Sequence, residues 1–274
     1  MNERLLTSEK LARSTILIKS RIAGGQTSTG TGFYYHIPID NNRHVPVVVT
    51  NRHVVAQASE GVLLHRLRAA GDAHHTLYEQ KIDGFESQWI PHPDPNVDLC
   101  ALGINNVHEE LRQIGGALSY VPLTPKLIPN DTAKSELDAV EHVLMIGYPQ
   151  GLWDSFNNMP AIRRGITATH PRLDWQGKKE FLIDAACFPG SSGSPVFLHD
   201  VGPHRTRSGD LELAPRLMFL GILYAGPYAN AHISMNVPNW GPLAGTIALP
   251  ANLGFVIQSE QMIELGRSIL SNLR

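Results

Sequence analysis

Phe188-Pro189-Gly190-Ser191-Ser192-Gly193-Ser194-Pro195 is a run of small residues centred on Ser192 and closed by a proline near each end. Ser192 has a glycine two residues before it and another directly after. Glycine admits positive φ and lets other groups approach the backbone closely. Such a run can turn the amides of Gly190 and Ser192 toward one point and form a small anion-binding concavity. A hydroxyl beside two convergent N–H groups supplies an attacker and a seat for an oxyanion, the two needs of acyl transfer. The same residues also make an ordinary Gly/Ser turn, so the rest of the chain has to decide.

A serine hydroxyl is a weak nucleophile at neutral pH and needs a base, which in turn needs an orienting group. The chain holds 13 histidines, so position matters more than number. Residues 45–50 (Val-Pro-Val-Val-Val-Thr) read as a strand buried on both faces, and His53 sits just past its end. That places an imidazole at a rim, on backbone fixed by the core. Asp98 opens the apolar run Val97-Asp98-Leu99-Cys100-Ala101-Leu102. A carboxylate there is costly to bury without a partner, and an imidazole N–H is a natural one that also sets the ring tautomer. Asp94, the competing acid, lies between Pro93 and Pro95 and is explained by a turn.

Thr50-Asn51-Arg52-His53-Val54-Val55 resembles the histidine motif of chymotrypsin/trypsin-like serine peptidases, especially the high-temperature-requirement type. Residues 97–102 resemble the aspartate strand of that family, and Gly190-Ser191-Ser192-Gly193-Ser194-Pro195 its serine motif. Gly30-Thr31-Gly32-Phe33 resembles the strand opening before the histidine, and Ile146-Gly147-Tyr148-Pro149-Gln150-Gly151 the turn that starts the second half. The order His, Asp, Ser is that of the chymotrypsin clan.

The resemblance implies an all-β fold of two packed six-stranded antiparallel β-barrels with a C-terminal helix. Residues 14–115 would form the barrel carrying His and Asp, 139–257 the barrel carrying Ser, and 259–271 the helix, all within one peptidase domain spanning 1–274. Two barrels would use up these residues and leave no room for a PDZ domain, which departs from the high-temperature-requirement type. It implies a serine endopeptidase in which His53 is base and then acid, Asp98 orients it and Ser192 attacks. The amides of Gly190 and Ser192 would form the oxyanion hole. Ala186, Tyr224, Gly226 and Gly254 would shape the substrate pocket; none is acidic, so an uncharged P1 residue is expected. Cys187 would lie beside that pocket. The implied partner is a protein or peptide substrate, with no cofactor and no metal. The other reading left open is a catalytically silent pseudo-peptidase that docks a peptide strand; the three filled triad positions weigh against it.

Arg21-Ile22-Ala23-Gly24-Gly25 resembles a zymogen activation site, but Ser191 stands where such an enzyme holds the aspartate that pairs with the freed N-terminus. Residues 21–31 are therefore read as a loop between strands. Without zymogen chemistry, narrow specificity or an activating protein partner is expected.

The chain has 274 residues, 42% of them apolar, enough for a substantial core. A net charge of −2 gives no footprint for nucleic acid or an anionic membrane surface. With 24 Gly and 19 Pro spread along the chain, many turns and a β bias are expected. The start is charged, no apolar run has signal-peptide or membrane-span length, and the two cysteines make no disulfide framework, so the expected location is the cytoplasm.

Hydrophobic patterning predicts a helix over 3–12 and strands at 14–20, 30–38, 45–50, 62–67, 76–83 and 97–104. A helix follows over 107–114, then strands at 140–148, 161–169, 181–187, 195–198, 217–225 and 253–257. Residues 199–215 and 226–246 are read as loops, and Ser259 as the cap of a last helix whose apolar stripe is Met262, Leu265, Ile269 and Leu273. His74, His75 and His92 lack the spacing of a zinc site.

Overall fold

The alternating apolar runs build two antiparallel β-systems in the computed structural model, which describes residues 5–22, 24–67, 77–237 and 241–272. Short helix α1 (Thr7–Ala12) leads into β1 (Thr15–Ile22), β2 (Thr27–Pro38) and β3 (His44–Thr50). The four-residue helix α2 (Arg52–Val55) carries His53 and is followed by β4 (Ala58–Arg66), β5 (Leu77–Asp83), β6 (Ile90–Pro91) and β7 (Cys100–Gly103). These strands form one antiparallel sheet of seven in the order β5-β4-β1-β2-β3-β7-β6. The N-terminal half thus has seven paired strands rather than six, with β5 and β6 at its ends among the described residues.

Helices α3 (Asn105–Gln113) and α4 (Asp131–Ser135) connect to the second half. There β8 (His142–Gly147), β9 (Ala161–Thr167), β10 (Glu180–Asp184), β11 (Pro195–Asp200), β14 (Arg216–Ala225) and β17 (Leu253–Gln258) close a six-stranded antiparallel barrel. A small hairpin, β12 (His204–Arg205) and β13 (Leu211–Glu212), lies inside the segment expected to be a polar loop. The chain ends in helix α5 (Gln261–Asn272).

Three local expectations are corrected. Residues 226–246 are not an irregular loop: β15 (Tyr228–Val237) and β16 (Gly241–Pro250) pair residue by residue as a long two-stranded ribbon. The period-two signal is present in Ala229-Asn230-Ala231-His232-Ile233-Ser234-Met235-Asn236, where apolar and polar residues alternate, but the surrounding Gly and Pro obscure it. Residues 21–31 are mostly strand, because Thr27-Ser28-Thr29 extends β2 and only residues around Gly24 and Gly25, both at positive φ, make the turn. Ser259 does not cap α5 with its side chain: its hydroxyl is buried with no partner among the described residues. The expectations for His74, His75 and Leu273 lie outside the described residues.

One core joins the two halves. Phe33, Tyr35, Val47 and Val49 from the first sheet pack with Ile146, Phe197, Phe219 and Ile222 from the barrel, and α5 adds Met262, Leu265 and Ile269. Phe33 and Phe219 meet edge to face across this seam, with centroids 5.5 Å apart. Each fully buried phenylalanine contributes about 2–3 kcal/mol by area, so the seam fixes the relative positions of groups carried by different halves.

A second feature of the first sheet makes stability depend on pH. His65 is fully buried on β4. Its Nδ1 faces the Tyr34 hydroxyl at 3.0 Å and its Nε2 faces Gln80 Oε1 at 2.9 Å. A neutral ring satisfies both, accepting from the phenol and donating to the amide oxygen. Burial brings its pKa down to about 4. Below pH 6.5 the unfolded chain takes up a proton that the folded chain refuses, so this stabilisation is complete above 6.5 and is lost as pH falls toward 4. The expected result is a wild-type unfolding free energy that drops by roughly 3 kcal/mol more between pH 7 and pH 4 than that of His65→Gln. Equal pH dependence in urea melts of the two proteins would contradict it.

Candidate active site

The loop between β6 and β7 delivers Asp98 to α2. Pro91 pairs with Cys100, and the His92 N–H donates to the Leu99 carbonyl, closing a narrow turn. Asp94 is used inside that turn, where its Oδ1 accepts from the Asn96 backbone and side chain at 2.9 and 3.0 Å. Asp98 points the other way. Its Oδ2 lies 2.5 Å from His53 Nδ1, and its Oδ1 accepts the His53 backbone N–H at 3.0 Å. Both carboxylate oxygens thus hold the same residue. With Nδ1–H given to Asp98, Nε2 is left as an acceptor facing the cleft. Asn51, fully buried, donates from its side chain to the Asp98 carbonyl at 2.8 Å and fixes that loop from below. Ser20 Oγ donates to the Val54 carbonyl at 2.8 Å, seating the helix that bears His53.

The serine loop comes from the other half and lies in the same cleft, of about 330 Å³, lined by His53, Ser192, Gly190, Cys187, Leu223 and Gly226 among others. Ser192 does not hydrogen-bond to His53 here. Its hydroxyl donates to the Tyr224 carbonyl at 3.2 Å. The structure therefore brings His53 and Asp98 into direct contact and places Ser192 in the cleft that His53 lines, with its hydroxyl turned aside.

Most of the backbone groups around Ser192 are hydrogen-bonded. The Ser191 N–H donates to the Phe188 carbonyl at 3.0 Å, closing a turn with Gly190 at φ +87°. The Pro189 carbonyl accepts from the Gln150 N–H at 2.5 Å, and the Gly190 carbonyl accepts from Thr31 Oγ1 at 3.0 Å. The Ser192 carbonyl accepts from the Thr31 N–H at 2.9 Å. The N–H of Gly190 and that of Ser192 have no protein acceptor among the described residues. Because the Pro189 carbonyl points at Gln150, the trans Gly190 N–H must point to the opposite side. A Cβ at Gly190 would stand 2.6 Å from the Tyr148 carbonyl oxygen and 2.8 Å from the Gln150 nitrogen, so only glycine fits.

Of the sequence-predicted pocket residues, Gly226 lines the cleft; Ala186, Tyr224 and Gly254 are not among its lining residues. Tyr224 enters the site through its carbonyl, while its hydroxyl donates to Glu180 Oε2 at 3.0 Å. Gly254 lies behind Cys187: a Cβ there would come within 2.6 Å of Cys187 Sγ. Cys187 itself is buried, and desolvation pushes its thiol up to about 11, so it is a neutral wall of the cleft. Among the described residues, no acidic side chain lines the cleft. Tyr228 and Pro250, at the root of the β15–β16 ribbon, complete its outer edge.

Thr31 and Gln150 were not singled out by sequence reading as parts of the site. The signal for Thr31 was available, since a lone hydroxyl residue between Gly30 and Gly32 on a buried strand needs a reason. Gln150 carries a weaker one: it is a non-glycine residue at φ 53° directly before Gly151, which sequence cannot show. Among the described residues, no group of three or more His, Cys, Asp or Glu side chains is placed to hold a metal ion. No described helix is long and apolar enough to cross a membrane.

The family model described as "Trypsin-like peptidase domain" matches residues 30–202, which include His53, Asp98 and Ser192. No curated protein matches the chain. Among solved structures, the active form of the Rv3671c protease from M. tuberculosis aligns at 17% identity and a TM-score of 0.46, covering 92% of this chain and 79% of that one. The catalytically inactive tobacco etch virus protease complexed with substrate aligns at 11% identity and a TM-score of 0.49, covering 98% of this chain and 87% of that one. By its family model, matched over more than half its length, the chain belongs to the trypsin-like peptidases and is a serine peptidase.

Proposed function

We propose that this protein is a serine endopeptidase that works through Ser192, His53 and Asp98 and prefers an uncharged P1 residue. The observation that carries this reading is the double grip of Asp98 on His53, which leaves Nε2 as an acceptor in the cleft that Ser192 lines. In the first step the Ser192 hydroxyl turns from the Tyr224 carbonyl toward His53, a rotation between staggered wells. Its oxygen attacks the substrate carbonyl as His53 takes the proton, and Asp98 stabilises the resulting imidazolium. The new oxyanion takes hydrogen bonds from the free N–H groups of Gly190 and Ser192. His53 then protonates the leaving amine, and water repeats the sequence on the acyl-enzyme.

The P1 preference follows from the walls. Cys187, Leu223, Ala225, Gly226 and Pro250 are uncharged, and the thiol stays protonated at neutral pH. A lysine or arginine side chain would be buried there without a counter-charge, which is strongly unfavourable. A peptide-library digest with the purified full chain tests both parts. The expected profile is cleavage after small to medium apolar residues. Dominant cleavage after Arg or Lys would overturn the pocket assignment. Binding of library peptides with no cleavage would favour the pseudo-peptidase reading.

A further inference from the structure

The serine loop needs a device to hold its oxyanion site open. We propose that Thr31 is a positioning residue which, together with the Gln150 amide, clamps the Gly190 peptide units so that the site is assembled in the uncleaved chain. This rests on the peptidase reading above and names what regulates, or fails to regulate, that site.

Thr31 is fully buried on β2, in the half of the molecule opposite the serine loop. Its hydroxyl uses its whole bonding capacity. It donates to the Gly190 carbonyl at 3.0 Å, accepts the Tyr148 N–H at 3.0 Å and accepts from Ser194 Oγ at 3.3 Å. One proton and two lone pairs are all a hydroxyl has. The same residue's N–H holds the Ser192 carbonyl at 2.9 Å, and its carbonyl accepts from Thr50 Oγ1 at 2.7 Å, beside the His53 helix. One residue therefore links three places: its side chain joins the serine loop to the Tyr148–Gly151 turn, and its backbone carbonyl meets the strand leading to the histidine.

The clamp acts on both sides of Gly190. Gln150 fixes the peptide before it through Pro189 O, and Thr31 fixes the peptide after it through Gly190 O. If the Pro189–Gly190 peptide rotated, its N–H would leave the cleft and a carbonyl would take its place, repelling an oxyanion. In a buried setting each lost bond leaves a polar group unsatisfied, so the rotated state is disfavoured. Nothing in this arrangement calls for a freed N-terminus. The Arg21–Ile22 bond lies within β1, where Ile22 pairs with Ala58 and Arg21 bridges to Glu60 at 3.3 Å.

The test compares wild type, Thr31→Val, Thr31→Ala and Thr31→Ser. Each is assayed for kcat and KM on a peptide substrate and for affinity to a peptide aldehyde, in which the Ser192 oxygen bonds to the aldehyde carbon and leaves an oxyanion in the hole. The expected result is a kcat loss of about 10- to 100-fold for Val and Ala with KM within about twofold, a parallel loss of aldehyde affinity, and recovery in Thr31→Ser. Wild type should be fully active with its intact mass. Unchanged kcat and aldehyde affinity in Val and Ala overturn the positioning role. Loss of the cooperative thermal transition in both also overturns it, since Thr31 would then be a folding residue. Activity that appears only after cleavage at Arg21 overturns the assembled state. If wild type itself neither cleaves peptide nor binds the aldehyde, the peptidase reading fails instead.

Discussion

Ser192→Ala is expected to lower peptide turnover by roughly a million-fold while leaving the protein folded. The size of the loss reflects a step that no neighbour can take over. Ser191 is buried, its hydroxyl out of solvent and without a partner among the described residues. Ser194 is also fully buried, and its hydroxyl is committed to Thr31. Neither can reach a substrate carbonyl, although both flank Ser192 in sequence. The stability cost is small because, among the described residues, the Ser192 hydroxyl makes one hydrogen bond, to Tyr224 O, worth about 1 kcal/mol. A thermal midpoint close to wild type beside abolished turnover is thus the expected pair of results. Residual hydrolysis of about a thousandfold over the uncatalysed rate should survive from the binding cleft and the oxyanion site. Turnover within tenfold of wild type would remove Ser192 from the chemistry.

The second large effect is expected for Asp98→Asn, a fall in kcat on the order of ten-thousandfold. Asp98 presents two acceptor oxygens and gives both to His53, one to the ring at 2.5 Å and one to the backbone N–H at 3.0 Å. Asparagine has one acceptor and one donor in the same volume. If its oxygen keeps the backbone N–H, its NH2 faces Nδ1, which must then become an acceptor. The ring proton moves to Nε2, and the nitrogen that should receive the Ser192 proton already carries one. The geometry survives while the tautomer is wrong. KM should change little, because Asp98 does not line the cleft. A kcat loss below tenfold, measured beside the unchanged KM, would show that the Asp98 charge and tautomer control are not used.

Much of the site was legible because its chemistry is written in local motifs. His53 follows a continuous apolar strand, and Asp98 precedes another, so each was marked by a polar residue at the edge of a buried run. Gly190 and Gly193 announced backbone that needs positive φ, and both have it, at +87° and +88°. What stayed hidden depends on contacts between residues far apart in sequence. Thr31 meets Gly190 across 159 positions, and nothing local to Gly30-Thr31-Gly32 says which carbonyl that hydroxyl will find. The turn of the Ser192 hydroxyl to Tyr224 O is a rotamer choice, which sequence does not encode. The β15–β16 ribbon was missed for a different reason: its alternation is clear, but its small residues and flanking Gly and Pro read as loop chemistry. Its root at Tyr228 and Pro250 bears on the cleft edge, away from the His53–Asp98 contact.

The central claim is that Ser192 is made nucleophilic by His53 and Asp98. The most direct measurement is treatment of the full chain with a fluorophosphonate, followed by peptide mapping. Attack by the Ser192 oxygen on phosphorus, with loss of fluoride, should leave one adduct, on Ser192 alone. It should be absent in Ser192→Ala and greatly slowed in Asp98→Asn. An adduct at another residue, or none on wild-type protein that cleaves peptides, would contradict the account.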